Sequence, residues 1–419
     1  MELSNIGERL AGRSGILELM DDLGAAMASD PEMRMMGGGN PAGIPEMQAV
    51  WRRRMEEILG EGDRYERMLG NYDQPAGSPG FRESLAGLLG REFGWDLTSQ
   101  NVGVTPGGQA AFFYLFNMLA GGRSDGSRRK ILLPLVPEYI GYSDQGAEGE
   151  LFVACEPRME VFDDRTFKYR IDFEAVEARL GDDIAAVCVS RPTNPTGNVL
   201  TDNEVRKLSD LCRERGKILI IDNAYGVPFP GILFTGATPL WDEHIVVTLS
   251  LSKLGLPGTR TGIVVAREEI VRAVSAMTSV IGLANGNLGQ EIVRPLLDSG
   301  EILRLSREVV RPFYQKRSEE AMGWVLESLP PELPCLVHKS EGALFLWLWF
   351  RDLPVTTQVL YERLKGRKVL VVPGRYFFFG LEGEMAQEHE CIRVTFSQSR
   401  EVVQEGVGII AEEVVRAYG

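Results

Sequence analysis

The sequence predicts an α/β protein with a large, mainly parallel seven-stranded sheet and a smaller α+β domain, and three observations predict it. Between about residues 100 and 270, short β-branched runs alternate with helical stretches, as in βαβ units. After about residue 290 the pattern changes to a long amphipathic segment, then strand, helix and strand, closing on a helix over Glu401–Ala417. The chain has 419 residues, 44% of them hydrophobic, enough for two cores because single cores stop growing near ~250–300 residues. The expected division is a large domain over 46–290 and a small domain made of 1–45 with 291–419.

The strand candidates, in order, are Val102–Thr105, Ile131–Leu135, Leu151–Ala154, Ala185–Ser190, Ile218–Asp222, Ile245–Ser250 and Gly262–Ala266. One crossover helix is legible in detail. Thr201 and Glu204 form a capping-box pair, Leu208 and Leu211 recur at helical spacing, and Gly216 ends the helix before the strand Ile218–Asp222. The longest apolar stretch, Ala343–Phe350, is far short of the ~20 residues that a membrane span needs.

Composition excludes several functions. A net charge of −14 argues against nucleic acid or an anionic membrane as partner, since both need clustered Lys and Arg. Cys155, Cys188, Cys212, Cys335 and Cys391 are scattered and never spaced as CxxC, and there are only three histidines, so neither a disulfide framework nor a metal site is expected. The start, Met-Glu-Leu-Ser-Asn, lacks the marks of a secretory signal, which predicts a cytoplasmic protein.

In an open α/β sheet, ligands bind beyond the carboxyl ends of the strands. Four such ends stand out. Ser250-Leu251-Ser252-Lys253 follows an apolar strand, where desolvation lowers a lysine's pKa and suits it to form a Schiff base. Asp222 ends the run Ile218–Ile221; a buried acid there needs a partner, and a cationic pyridinium nitrogen would serve. The loop Ser190-Arg191-Pro192-Thr193-Asn194-Pro195-Thr196-Gly197 is stiffened by two prolines, so the Asn194 amide can be held at a set angle. Thr105-Pro106-Gly107-Gly108-Gln109 opens a helix and offers backbone N–H groups to an anion. Alone, each has an ordinary reading: a surface lysine, a helix-capping acid, a bare turn, a glycine turn. Together they supply the cradle, acid, amide and lysine that pyridoxal 5′-phosphate (PLP) requires.

In this order the segments resemble those of the fold-type I PLP-dependent aminotransferases, and the likeness spans nearly the whole chain. The resemblance implies that Lys253 carries the cofactor and Asp222 meets the ring nitrogen, both as catalytic residues, while Asn194 and Tyr225 donate to the ring oxygen. It places Gly107, Gly108, Gln109, Ser250, Ser252 and Arg260 at the phosphate and Tyr139 against the ring. Tyr72, in Asn71-Tyr72-Asp73, resembles the tyrosine that reaches the phosphate of a neighbouring subunit, which implies a homodimer with shared sites. Arg393, in Cys391–Phe396, resembles the arginine that grips the substrate carboxylate, a task its planar fork suits. Gly39, in Met36–Pro41, resembles the loop that closes over substrate, and Asn194 also faces substrate in this scheme.

Within the superfamily, Asn223–Ile232, Gly37–Ala42, Pro137–Tyr142, Ser250–Gly258 and Glu341–Phe350 resemble the branch that exchanges an amino group between valine and pyruvate by a ping-pong scheme. Small-molecule amino acids and 2-oxo acids are then the partners. Phe379 stands where that branch leads one to expect proline, and Gly108 where serine is commoner. Two rivals share the scaffold: an aminotransferase of other or broader specificity, and a β-lyase. A PLP-sensing regulator would need a basic winged-helix module, and only about 45 residues precede the large domain.

Overall fold

The computed structural model describes residues 2–12 and 14–419. Met1 and Arg13, both within the segment expected to pack on the smaller domain, lie outside the described residues.

The central sheet runs in the order Val102–Pro106, Thr261–Val265, Ile245–Ser250, Ile218–Asp222, Ile184–Ser190, Arg128–Leu133 and Phe152–Ala154. Six of these seven strands are mutually parallel; Thr261–Val265 is antiparallel to both neighbours. A sheet buried on both faces needs apolar side chains at nearly every position, which is why these strands read as continuous runs rather than alternations. Every residue of Ile184–Ser190 and Ile245–Ser250 is buried.

Register brings the informative residues to one edge. Ser190 is opposite Asp222, Asp222 opposite Thr248, Ser250 opposite Gly262, and Gly262 opposite Thr105. Because Thr261–Val265 runs the other way, it is the residue before it, Arg260, that joins the carboxyl ends of the parallel strands.

The crossover helix Asp202–Glu214 is closed by its capping box: Thr201 Oγ1 accepts from the Glu204 N–H at 3.2 Å, and Glu204 Oε2 accepts from the Thr201 N–H at 2.8 Å. Such a cap contributes about 1 kcal/mol. The long segment expected after residue 290 is divided. Gly300, at φ 74°, breaks it after the helix Leu288–Asp298, a left-handed conformation that glycine adopts without steric cost. The chain turns helical again at Glu301 and passes through a π turn at Ser306–Val310 into the helix Arg311–Ser328.

The second sheet has the order Val372–Pro373, Cys391–Thr395, Phe345–Phe350, Cys335–His338, Thr166–Arg170 and Arg158–Val161. Its last two strands form a hairpin from the middle of the chain, within the range assigned by sequence to the large domain. The amino-terminal segment meets the carboxyl-terminal part: Arg34–Met35 pairs in parallel with Val369–Leu370, and Asp22 accepts from Tyr361 and Lys365. Among the described residues, no helix is long and apolar enough to cross a membrane.

Candidate active site

After the strand Ile245–Ser250 the chain enters a tight turn, Ser252–Leu254, and Gly255 at φ 94° reverses it. That turn lifts the half-buried Lys253 above the sheet edge. Its Nζ donates to the Gly39 carbonyl at 2.6 Å and lies 5.2 Å from the centre of the Tyr225 ring. Burial, then the cations Arg393 and Arg260, push its pKa down to about 8, with Asp222 opposing. A lysine so placed releases its proton far more readily than one in water.

Asp222 is 8% exposed. Its Oδ2 accepts from the Tyr142 hydroxyl at 2.6 Å, and its Oδ1 accepts from the Ala224 N–H at 2.9 Å and Thr248 Oγ1 at 3.2 Å. Burial raises its pKa, while these hydrogen bonds and Lys253 oppose the rise. The residues after Asp222 form turns rather than a helix, so the acid caps no helix. A buried carboxylate of this kind is stabilised by a cation brought against it.

Arg393 reaches the same space from the second sheet. It is 5% exposed, its Nη1 donates to Asn194 Oδ1 at 2.7 Å and its Nη2 to the Gly37 carbonyl at 2.6 Å. A guanidinium has only donors, so the Asn194 atom facing it is oxygen and the amide NH2 stays available to another acceptor. The guanidinium lies 4.2 Å from the centre of the Phe345 ring and 5.2 Å from that of Phe377, and its Nε is buried without a partner. Burial lowers its pKa to about 10, which still leaves a cation at neutral pH. Tyr225 is buried beside it, edge-on to Phe345.

The glycine turn before the helix Gly108–Leu119 completes the edge. Gly107 has φ 90°, and a Cβ there would meet Arg260 Nη2 at 2.1 Å. Gly262 packs as closely from the next strand, where a Cβ would lie 2.4 Å from the Gly107 carbonyl carbon. Side-chain-free backbone therefore faces the Arg260 guanidinium and the helix amino terminus, a combination that attracts a phosphate. The space beside Gly108 is open, so the glycine found where serine is commoner has room for a side chain. Gln109 Nε2 donates to the Gly141 carbonyl at 2.8 Å, and the Tyr139 hydroxyl donates to Gln109 Oε1 at 3.3 Å. Ser250 Oγ accepts from the Ser252 N–H at 3.1 Å. Phe379, where proline was expected, packs edge-on against Phe152.

The structure thus brings Lys253, Asp222, Asn194, Tyr225, Arg393 and Gly39 into one cleft, beside the cradle of Gly107, Gly108 and Arg260. Tyr72 stands apart at 83% exposure. Its segment is held by Asn287 Nδ2, which donates to the Asn71 carbonyl at 3.1 Å; Val280, Ile281 and Leu283, shortly before Asn287 in the chain, are exposed and apolar. Two residues escaped the sequence reading: Tyr142, which grips Asp222, and Glu138, which is 1% exposed. The spacing of Tyr139 and Tyr142 on one short helical turn was the available signal for the first. Among the described residues, no group of His, Cys, Asp or Glu is arranged to hold a metal ion.

The arrangement fits a phosphorylated cationic ring: a cradle that a Cβ at Gly107 or Gly262 would obstruct, a buried acid wanting a cation, a lysine with a lowered pKa and an unsatisfied guanidinium nitrogen. Comparison with known proteins agrees. The family described as aminotransferase class I and II matches residues 43–410. The valine–pyruvate aminotransferase of Escherichia coli K12 is 47% identical over 418 residues, 100% of this chain and 99% of that one. A crystal structure of valine–pyruvate aminotransferase from Salmonella typhimurium LT2 superposes with a TM-score of 0.88 at 45% identity, covering 96% of this chain and 99% of that one. A Psychrobacter arcticum 273-4 crystal structure gives 0.97 at 43% identity, covering 100% and 99%.

Proposed function

The chain belongs to the class I and II aminotransferases, which use PLP, and from that membership we propose that it transfers the amino group of L-valine to pyruvate. The products are 3-methyl-2-oxobutanoate and L-alanine. The observation that carries this reading is the full-length likeness to the valine–pyruvate enzyme of Escherichia coli.

Lys253 would hold the cofactor, with Asp222 at its ring nitrogen, Asn194 and Tyr225 at its ring oxygen, and Tyr139 against its face. Gly107, Gly108, Gln109, Ser250, Ser252 and Arg260 would hold its phosphate. When bound, PLP supplies a carbonyl that takes up the amino group and a ring that withdraws the electrons left when the α-proton departs. Arg393, held by the Asn194 and Gly37 oxygens, would take the substrate carboxylate through two parallel hydrogen bonds. Lys253 Nζ, once free, takes the proton from the substrate α-carbon as general base and delivers one as general acid. A pKa near 8 suits both tasks at neutral pH. Asp222, as an anion, would stabilise a cation at the ring nitrogen. With pyruvate the steps run in reverse, and Nζ returns a proton to the α-carbon of alanine.

Tyr72 and the exposed apolar Val280, Ile281 and Leu283 are read as a face covered by a second copy of the chain, whose phosphate site Tyr72 completes. All five cysteines are buried and unpaired, which suits a reducing cytoplasm. The test is a coupled assay of the purified protein with valine and pyruvate. Alanine should form with the wild type and not with Lys253→Ala, whereas alanine formation undiminished in the variant would refute the role of Lys253.

A further inference from the structure

Behind Asp222 runs a buried chain of oxygens that the proposed reaction does not use. Glu138 Oε1 is 2.6 Å from Ser190 Oγ, which is 3.2 Å from the Tyr142 hydroxyl, which is 2.6 Å from Asp222 Oδ2. Ser190 is 3% exposed and Tyr142 fully buried, so water does not compete along the chain. These three contacts have only two hydroxyl protons between them, one on Ser190 and one on Tyr142. If both carboxyls are ionised, Ser190 donates to Glu138 and Tyr142 to Asp222, and the middle contact sets two lone pairs against each other. One more proton, on a carboxyl at either end, turns all three contacts into hydrogen bonds pointing the same way.

Resting on the reading that Asp222 meets a cationic ring nitrogen, we infer that Glu138 holds this third proton and is the positioning residue that keeps Asp222 an anion. The relay then runs from Glu138 through Ser190 and Tyr142 to Asp222, and each donor strengthens the next.

The surroundings decide which end is protonated. Glu138 faces the N–H groups of Ser190 at 3.0 Å and Tyr139 at 2.8 Å, its own N–H donates to the Phe377 carbonyl, and the Cys188 thiol lies nearby. Among the described residues no arginine or lysine pairs with it. Asp222 has Lys253 nearby and would gain the ring cation. Burial raises the Glu138 pKa to about 7 against the hydrogen bonds from Ser190 and Tyr139, with a smaller push from Asp222.

The test is infrared difference spectroscopy of the holoenzyme near pH 6, in the region of the protonated carboxyl stretch. The wild type should show a band that Glu138→Gln removes, that Asp222→Asn keeps, and that Tyr142→Phe shifts by cutting the relay. No band, or one lost in Asp222→Asn and kept in Glu138→Gln, would overturn the inference. The band reports the proton whatever Asp222 touches, whereas loss of transamination in Asp222→Asn tests the ring-nitrogen reading separately. Kinetics add a second readout. Glu138→Leu should lower kcat about fivefold, as for one lost hydrogen bond between neutral groups, with KM for valine little changed. Glu138→Gln, whose amide still donates to Ser190 Oγ but no longer accepts from the Tyr139 N–H, should recover part of it; equal losses in the two variants would count against the relay.

Discussion

Arg393 Nη1 donates to Asn194 Oδ1 across 2.7 Å, a contact between residues 199 positions apart that joins the strand Cys391–Thr395 to the loop after Ile184–Ser190. The amide oriented by this contact is the one proposed to meet the cofactor, and the guanidinium that orients it is the one proposed to bind substrate. Replacing Arg393 by lysine keeps a charge but loses both the fork and the grip on Asn194. The apparent affinities for valine, alanine and pyruvate should all fall by a similar factor, about tenfold or more for one lost charge-assisted hydrogen bond. Steady-state kinetics with each substrate measure this, and a loss confined to one of them would be the wrong result.

At the phosphate cradle, the open space beside Gly108 allows an addition. Gly108→Ser places a hydroxyl at the amino terminus of the helix Gly108–Leu119 without a clash. The variant should hold PLP about fivefold more tightly, the gain expected from one extra hydrogen bond near 1 kcal/mol. Equilibrium dialysis of the cofactor, comparing wild type and variant, gives the answer, and weaker retention would show that the phosphate does not lie there.

Much of the fold was legible because the central strands are buried on both faces and therefore appear as apolar runs. The hairpin Arg158–Val161 and Thr166–Arg170 was not. All four residues of its first strand are exposed, and its second carries Lys168 inward, where the lysine pairs with Glu341 far along the chain. A buried lysine with a distant partner breaks the alternation by which a strand is recognised. The candidate site was legible where a residue ends a strand, as Asp222 does, or follows its end, as Lys253 does. Tyr142 and Glu138 were not, because their roles depend on Asp222 and Ser190, which only the fold brings to them.

His338 offers a pH prediction away from the cleft. It is fully buried and stacked on Tyr169; its Nε2 accepts from the Tyr169 N–H at 3.3 Å, and its Nδ1 lies 2.8 Å from the Lys339 carbonyl. Burial lowers its pKa from 6.5 to about 3. Between those values the unfolded chain binds a proton that the folded one refuses, so the contribution is complete above about pH 6.5 and drains away as pH falls toward 3. In urea unfolding from pH 6.5 down, His338→Gln should reduce the pH slope by up to about 1.4 kcal/mol per unit. An unchanged slope would mean that His338 is already charged in the folded protein.

Tyr72 provides the test of assembly. A Tyr72→Phe subunit has its own Lys253, and a Lys253→Ala subunit has its own Tyr72, so a mixed dimer contains one site with both residues intact. Mixing the two weak variants after brief denaturation and refolding should restore activity toward a quarter of the wild type, since about half the dimers are mixed and each has one complete site of two. Recovery no greater than the sum of the separate variants would place Tyr72 in its own subunit's site or in neither.

The one-carboxylate site proposed for valine has Arg393 as its anion grip, its guanidinium held against the rings of Phe345 and Phe377. A second substrate carboxylate left buried and unpaired there costs several kcal/mol. The direct measurement is a stopped-flow half-reaction, in which the holoenzyme meets a single amino acid without any acceptor and the loss of cofactor carbonyl is followed by absorbance. Valine and alanine should react at least about a hundredfold more efficiently than glutamate or aspartate, the ratio set by a penalty of about 3 kcal/mol. Glutamate reacting as efficiently as valine would contradict the valine–pyruvate assignment and leave only the broader one, an aminotransferase of classes I and II.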